Sequence, residues 1–424
     1  MQRVQASAAG ATHLDYPVTA LVLQGGGALG AYQAGVYQGL AEAGIHPNFV
    51  AGISIGALNA AVIAGNPPER RVEQLRAFWQ FICRQPWWPP LQMGLPAGTS
   101  DQLPQAWRVL VDSIESTRAL LEGQNGFFVP RAWPSLALAS EGPHTASFYD
   151  TGPLQATLER FVDFDRINQA SETRVSVGAI NVRTGNFVYF DNTERKLHPR
   201  HFMASGALPP GFPAIEVDGE FYWDGGLVSN TPLYYVLIAR PRDDALIFQV
   251  DLWSAVGDLP KDLLQVAVRQ KDLQYSSRTR LVTMYMSHQH KLRRMLDELL
   301  ALVPKSERDS AAYQNALQAA HAPRRNIIHL VYRDKPYESY AKDYQFGLLT
   351  MDEHWSSGLS DMRGTLERRH WLDKPSAEEP FVTHDLHGTE LLPDEPSMNP
   401  ITNSQEHERT TSGEKTHGNA DLDH

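Results

Sequence analysis

Gly52-Ile53-Ser54-Ile55-Gly56 lies between the apolar run Phe49–Ala51 and a small-residue helical stretch, Ala57–Ala64. The pattern places a serine where a strand bends sharply into a helix. Glycine on either side removes the Cβ atoms that would crowd the bend, so the hydroxyl projects outward. Such a serine is a candidate nucleophile. It needs a base within hydrogen-bond reach, and donors for the negative charge that develops on an attacked carbonyl oxygen. The pentapeptide alone is a weak signal, and the chain supplies a candidate for each partner.

The donors come first in sequence. Val18–Leu23 reads as a short buried strand running into Gln24-Gly25-Gly26-Gly27-Ala28-Leu29-Gly30, and a helical stretch, Ala31–Ala43, follows and ends at Gly44. Glycines between a strand and a helix leave backbone N–H groups bare, and the helix N-terminus adds partial positive charge. A loop of this kind suits a phosphate or an oxyanion. No Lys-Ser or Lys-Thr follows Gly30, so it is not a P-loop. The embedded G-x-G-x-x-G lacks the acidic residue that a dinucleotide fold places about twenty residues on. An oxyanion hole built from Gly25, Gly26 and Gly27 is the reading that fits.

The base comes later. Phe221-Tyr222-Trp223-Asp224-Gly225-Gly226 sets a carboxylate at the end of an aromatic strand and before a glycine turn. Taken alone, Asp224 could simply cap that turn. Beside the loop and the elbow it is the candidate base, and partial burial would raise its pKa and make it a stronger one. A Ser–His–Asp triad is the alternative, because the chain has 16 histidines. His288 and His290 fall in a polar helical stretch, His329 in the apolar run Ile327–Tyr332, and His354 after Asp352 and Glu353, where a solvated position is expected. No H-E-x-x-H and no paired Cys-His spacing occurs, so neither a metal nor another cofactor is expected.

With these pieces in order, the chain resembles the patatin-like lipid acyl hydrolases. The resemblance implies a Ser54–Asp224 dyad without catalytic histidine, with Gly25, Gly26 and Gly27 as the oxyanion loop. Ala204-Ser205-Gly206-Ala207-Leu208-Pro209 looks like the family's segment before the dyad strand, Asn230-Thr231-Pro232-Leu233 like its continuation, and Asn181-Val182-Arg183-Thr184-Gly185 like its hairpin turn. Gln24 and Leu29 depart from the family's loop, which often has aspartate and arginine there.

Strand–loop–helix units point to an α/β fold, a three-layer α/β/α core with a mostly parallel sheet, plus a largely helical C-terminal extension. Further strands are expected at Thr173–Ala179, Gly185–Phe190 and Ala245–Leu252. The expected organisation is a tail over 1–15, a catalytic domain over 16–255, a mostly helical region over 256–374 and an acidic disordered tail over 375–424. Within the catalytic domain, 84–150 is an aromatic insertion carrying Trp87, Trp88, Trp107, Phe127, Phe128 and Trp133; it either packs on the core or covers the site as a lid. Lys261–Val303, free of Gly and Pro, should form two or three helices, with a strand at Asn326–Tyr332 and a helix at Gln345–Glu367 after it.

The net charge of −11 is concentrated in the last fifty residues, where 11 acidic and 2 basic side chains leave the rest of the chain near −2. A nearly neutral body without a basic stripe gives no support for nucleic-acid binding. The one cysteine, Cys83, excludes an internal disulfide and agrees with a reducing compartment. Phe49–Gly65 is uncharged but short and carries Ser54 and Asn59, so a buried strand and helix are expected there rather than a membrane span. The partners implied are a lipid or acyl-ester substrate and transient contact with a membrane surface, from the cytoplasm. An acyltransferase, a polyester or thioester hydrolase and a non-catalytic scaffold are the competing readings, and the oligomeric state is open.

Overall fold

Alternate residues of the first strand point into two different cores, and this fixes the layering. The computed structural model describes residues 14–83, 116–131, 142–169, 171–335, 338 and 340–386. Its strands are β1 (Val18–Leu23), β2 (Phe49–Gly52), β3 (Val129–Pro130), β4 (Tyr149–Asp150), β5 (Arg174–Asn181), β6 (Phe187–Asp191), β7 (Ile215–Val217), β8 (Glu220–Asp224), β9 (Ala245–Asp251), β10 (Arg325–Val331) and β11 (Phe381–Asp385). The helices are α1 (Ala31–Glu42), α2 (Ile55–Ala64), α3 (Arg71–Ile82), α4 (Gly152–Phe161), α5 (Phe164–Ile167), α6 (Pro199–Ser205), α7 (Leu233–Ile238), α8 (Leu263–Tyr275), α9 (Thr279–Ala301), α10 (Ala311–Ala320) and α11 (Leu348–Glu367).

The main sheet runs β11-β10-β9-β1-β2-β5-β8-β7, with β6 also on β5. From β11 to β5 the pairs are parallel, and β6, β7 and β8 pair antiparallel. Leu21 and Leu23 of β1 join the larger hydrophobic cluster with Leu246, Phe248 and Val250 of β9, while Ala20 and Val22 join a second one with Ala245 and Ile247. Period-two alternation into two cores means both faces are covered, as a mostly parallel sheet requires. The α/β architecture with a helical C-terminal region is the one expected from the sequence.

β5 organises the site end of this sheet. β2 pairs with its residues 174–177, β8 with 179–181 and β6 with 176–180. Since β6 overlaps both of the others, β2 and β8 must share the opposite edge. One runs parallel and the other antiparallel, so they approach head to head. Gly52 ends β2 opposite Val177, and Asp224 ends β8 opposite Ala179. Two segments 170 residues apart in sequence are thus brought together by one strand.

The C-terminal region is bound to the core through α11, which lies against α1. Glycines permit the close approach: a Cβ on Gly35 would sit 1.9 Å from Trp355 O, and one on Gly358 2.0 Å from Tyr32 O. The run 261–303 forms α8 and α9. One expectation needs correction. The segment from Pro375 was read as disordered tail, but Phe381-Val382-Thr383-His384-Asp385 forms β11, parallel to β10. Its β-branched and aromatic residues satisfy a sheet edge despite the acidic surroundings; residues 387–424 lie outside the described residues. So do Trp87, Trp88, Trp107 and Trp133 of the insertion, whereas Phe127 and Phe128 pack in an aromatic cluster with Tyr149, Phe212 and Phe346. Among the described residues, no helix is long and apolar enough to cross a membrane.

The α1–α11 contact gives a direct test. Gly35→Ala and Gly358→Ala each drive a methyl group into backbone and should cost about 1–3 kcal/mol or more. Gly364→Ala, on the same helix with nothing within 4 Å, should be neutral or slightly stabilising. Thermal melts of the three variants decide this, and equal losses in all of them would refute the close-packing account.

Candidate active site

Ser54 has φ 55° and ψ −124°, in the left-handed region that a non-glycine residue rarely occupies. The strain is held by its surroundings. A Cβ on Gly52 would meet Gly56 O at 2.3 Å, and one on Gly56 would meet Leu23 O at the same distance. The bend is therefore too tight for any other residue at either position. Ser54 N–H donates to Ser205 Oγ at 3.1 Å, and Ser205 Oγ donates to Gly178 O of β5 at 2.7 Å. A buried hydroxyl thus ties the elbow to the strand that aligns it.

The carboxylate of Asp224 is buried and accepts from Gly226 N–H at 2.7 Å. Burial pushes its pKa from 3.8 up to about 7; the neighbouring Ser54 hydroxyl and Gly226 N–H pull it back only in part. Its backbone N–H donates to Ala207 O at 3.0 Å, which gives the Ala204–Pro209 segment a structural task.

The glycine loop lies directly over the elbow: a Cβ on Gly25 would be 3.0 Å from Ser54 Cβ and 2.3 Å from Asn230 Oδ1. Gly25 N–H is already committed to Asn230 O at 3.2 Å. This residue supplies room, and of the expected trio Gly26 and Gly27 are left as candidate donors. The loop is held on all sides. Gln24 donates to Thr231 Oγ1 at 2.9 Å and Tyr275 O at 3.0 Å, and its Oε1 accepts from Leu252 N–H and Trp253 N–H. Gln33 Nε2 donates to Gln24 O, and Gln33 continues through Asn59 to Trp79, all buried. At Gly27 an added Cβ would lie 2.2 Å from Asp343 O, so the C-terminal region presses on the loop itself.

Ser54, Asp224 and the glycine loop are therefore brought together, and the histidines stand elsewhere. His329 pairs with Asp251 at 2.6 Å. His288 is exposed. His354, expected to be solvated, is buried: Nε2 meets Glu338 Oε1 at 2.7 Å and Nδ1 lies 3.4 Å from Ala28 O of the loop. The two acidic neighbours before it suggested an exposed face, but residue 354 falls on the side of α11 that faces the loop. Ser205 and Gln24 were missed as contributors. Both lie in stretches the sequence singled out, yet each acts through contacts with residues 150 or more positions away.

Comparison with known proteins gives the family. The model described as patatin-like phospholipase matches residues 21–237, just over half of the chain. A second, described as patatin phospholipase, matches residues 273–378. Among solved structures, VipD from Legionella pneumophila is 17% identical, with 84% of this chain and 67% of that one covered and a TM-score of 0.34. Human GIVD cytosolic phospholipase A2 is 11% identical, with 84% and 60% covered and a TM-score of 0.33; the chain spans about 60% of that enzyme's length. ExoU, in its complex with SpcU of the Pseudomonas aeruginosa type III secretion system, is 15% identical, with 84% and 78% covered and a TM-score of 0.24. No curated protein matches the sequence. On the match over residues 21–237, the chain belongs to the patatin-like phospholipase family of lipid acyl hydrolases.

Proposed function

We propose that the protein hydrolyses acyl esters of lipids through Ser54 as nucleophile and Asp224 as the sole general base, without histidine or metal. The observation that carries this reading is the placement of the strained Ser54 and the buried Asp224 side by side, just past the end of β2 and at the end of β8 on one edge of β5. Ser54 Oγ attacks the ester carbonyl carbon and its proton passes to Asp224. The carbonyl oxygen becomes an oxyanion facing the N–H groups of Gly26 and Gly27, backed by the start of α1. As the tetrahedral intermediate collapses, Asp224 returns the proton to the departing alkoxide, leaving an acyl group on Ser54. A water molecule then gives its proton to Asp224 and its oxygen to the acyl carbon. Release of the fatty acid restores the Ser54 hydroxyl. An alkoxide leaves more readily than an amide nitrogen, so esters are favoured over peptides.

A base with a pKa of about 7 is matched to this work, because it can take the serine proton and give it up again near neutral pH. On soluble short-chain esters, kcat/KM should rise with pH along an acid limb centred near 7. A limb near 4 would mean that Asp224 is not the titrating base.

Ser54→Ala should lower ester and phospholipid hydrolysis at least about a thousandfold, abolish fluorophosphonate labelling and leave the melting temperature in place. Release of fatty acid within about tenfold of the parent rate would remove Ser54 from the mechanism.

Asp224 also makes a stability prediction. The folded chain favours its neutral form, so its contribution is whole below about pH 4 and is lost as pH rises through 7. Asp224→Asn stays neutral throughout. It should lose activity yet melt higher than wild type above pH 7.5, by up to on the order of 4 kcal/mol, with the gap closing toward pH 4. Melts across that range that run parallel would refute a buried, charge-strained base.

A further inference from the structure

α9 exposes an apolar stripe with the period of a coiled-coil seam. Leu281, Tyr285, Leu292, Met295, Leu299 and Leu302 lie on it, and His288 fills the remaining position, so the steps alternate between four and three residues over three heptads. The six apolar residues are 45–79% exposed. The opposite side of the helix buries Met286 and Leu300, and α9 packs there against α10 and α7. Among the described residues, the stripe is therefore left uncovered.

Its period and its charges indicate the occupant. A helix that lies on a bilayer has basic residues along the border of its apolar face. This stripe follows the 3.5-residue period that keeps two helices in contact, with Met284, 43% exposed, beside it. One flank carries both signs of charge, Lys291 and Glu298, and the other carries Leu296 and Val303.

We propose that α9 is a dimerisation seam for a second copy of this chain, the two helices crossing antiparallel about a two-fold axis. In the register that centres the seam, Leu292 packs on the partner's Met295, Tyr285 on the partner's Leu302 and Leu299 on the partner's His288. Lys291 then faces the partner's Glu298, and the symmetry makes this pair twice. A parallel arrangement would set Lys291 against the partner's Leu296 and Glu298 against the partner's Val303, with no charge matched. Glu298 already accepts from Arg294 at 3.2 Å on its own helix, both side chains being exposed, and a carboxylate can serve both cations. His288 is the one polar position in the seam, the kind of residue that lowers affinity while selecting the register. Three heptads are short for a free coiled coil, but here the helix is folded beforehand and pays no nucleation cost.

Sedimentation of the full-length protein from about 1 to 100 μM tests this, a range in which micromolar association is resolved. The wild type should dimerise, at about twice its 47.3 kDa. Leu292→Lys should stay monomeric with an unchanged melting temperature. Lys291→Glu or Glu298→Lys alone should weaken association on the order of tenfold, since two attractive pairs become repulsive. The double variant should restore it, and a mixture of the two single variants should form heterodimers. This charge-swap series keeps the test decisive if Leu292→Lys fails to fold. Monomeric wild type, a dimer indifferent to these changes, or single variants that the double fails to rescue would each overturn the proposal. So would seam variants that alter only co-sedimentation with phosphatidylcholine–phosphatidylglycerol vesicles, which would assign the stripe to a lipid surface.

Discussion

A buried carboxylate with no cation beside it among the described residues is the constraint around which this molecule is arranged. Removing Asp224 from water disfavours its charge, and the Ser54 hydroxyl and Gly226 N–H beside it offset only part of that cost. A fuller set of donors, or an arginine in contact, would bring the pKa down again. The sheet must therefore deliver Asp224 to an apolar interior and still place it on the Ser54 hydroxyl. It does so through β5, whose one edge holds β2 and β8 end to end, so the separation of the two side chains depends on backbone pairing alone. Positioning by a sheet is more exact than positioning by loops, and the strained φ of Ser54 is sustained by the same pairing.

The glycine loop depends on a different part of the chain. Asp343 O lies against Gly27, His354 touches Ala28 O, and Tyr275 O binds both Gln24 and Asn230. These contacts come from α8, α11 and the segment between β10 and α11. That segment is itself pinned by charge pairs: Lys271 with Asp343, both buried or nearly so, and buried Lys342 with Asp272 and the exposed Asp334. Removing one partner of such a pair strands a buried charge, so the arrangement is all-or-none. The region matched by the second family model is thus the outer wall of the glycine loop, and the loop's geometry requires both segments of sequence.

Much of this was legible locally. β1, the elbow and the Asp-Gly-Gly turn were readable because each is a short stretch whose residue types fit one backbone conformation. The helical character of Lys261–Val303, expected as two or three helices and observed as two, and the strand expected at Asn326–Tyr332 and observed as β10, followed from breakers and β-branched runs. What escaped was set by tertiary contacts. His354 follows two acidic residues in sequence, but its environment is decided by Glu338 and the loop. β11 sits in an acidic context and exists because β10 offers an edge. Ser205 lies in a segment the resemblance marks, but nothing local assigns its hydroxyl a task; only the convergence of the elbow, β5 and α6 gives it two partners.

The two departures from the family's loop are explained by the same packing. Gln24 has two acceptors to satisfy, Thr231 Oγ1 and Tyr275 O, and two donors to receive, Leu252 N–H and Trp253 N–H. A carboxylate could accept from the two backbone groups but could not donate to the carbonyl, so the primary amide is the side chain that satisfies all four. Neutrality matters as well. A second carboxylate near Asp224 would raise its pKa further and hold it protonated when the base is needed. Leu29, where the family often has arginine, is fully buried in the core. A guanidinium near the loop would act in the opposite direction and lower the pKa of Asp224. With both positions neutral, the pKa of Asp224 is set by burial and, in the opposite direction, by its neighbours Ser54 and Gly226.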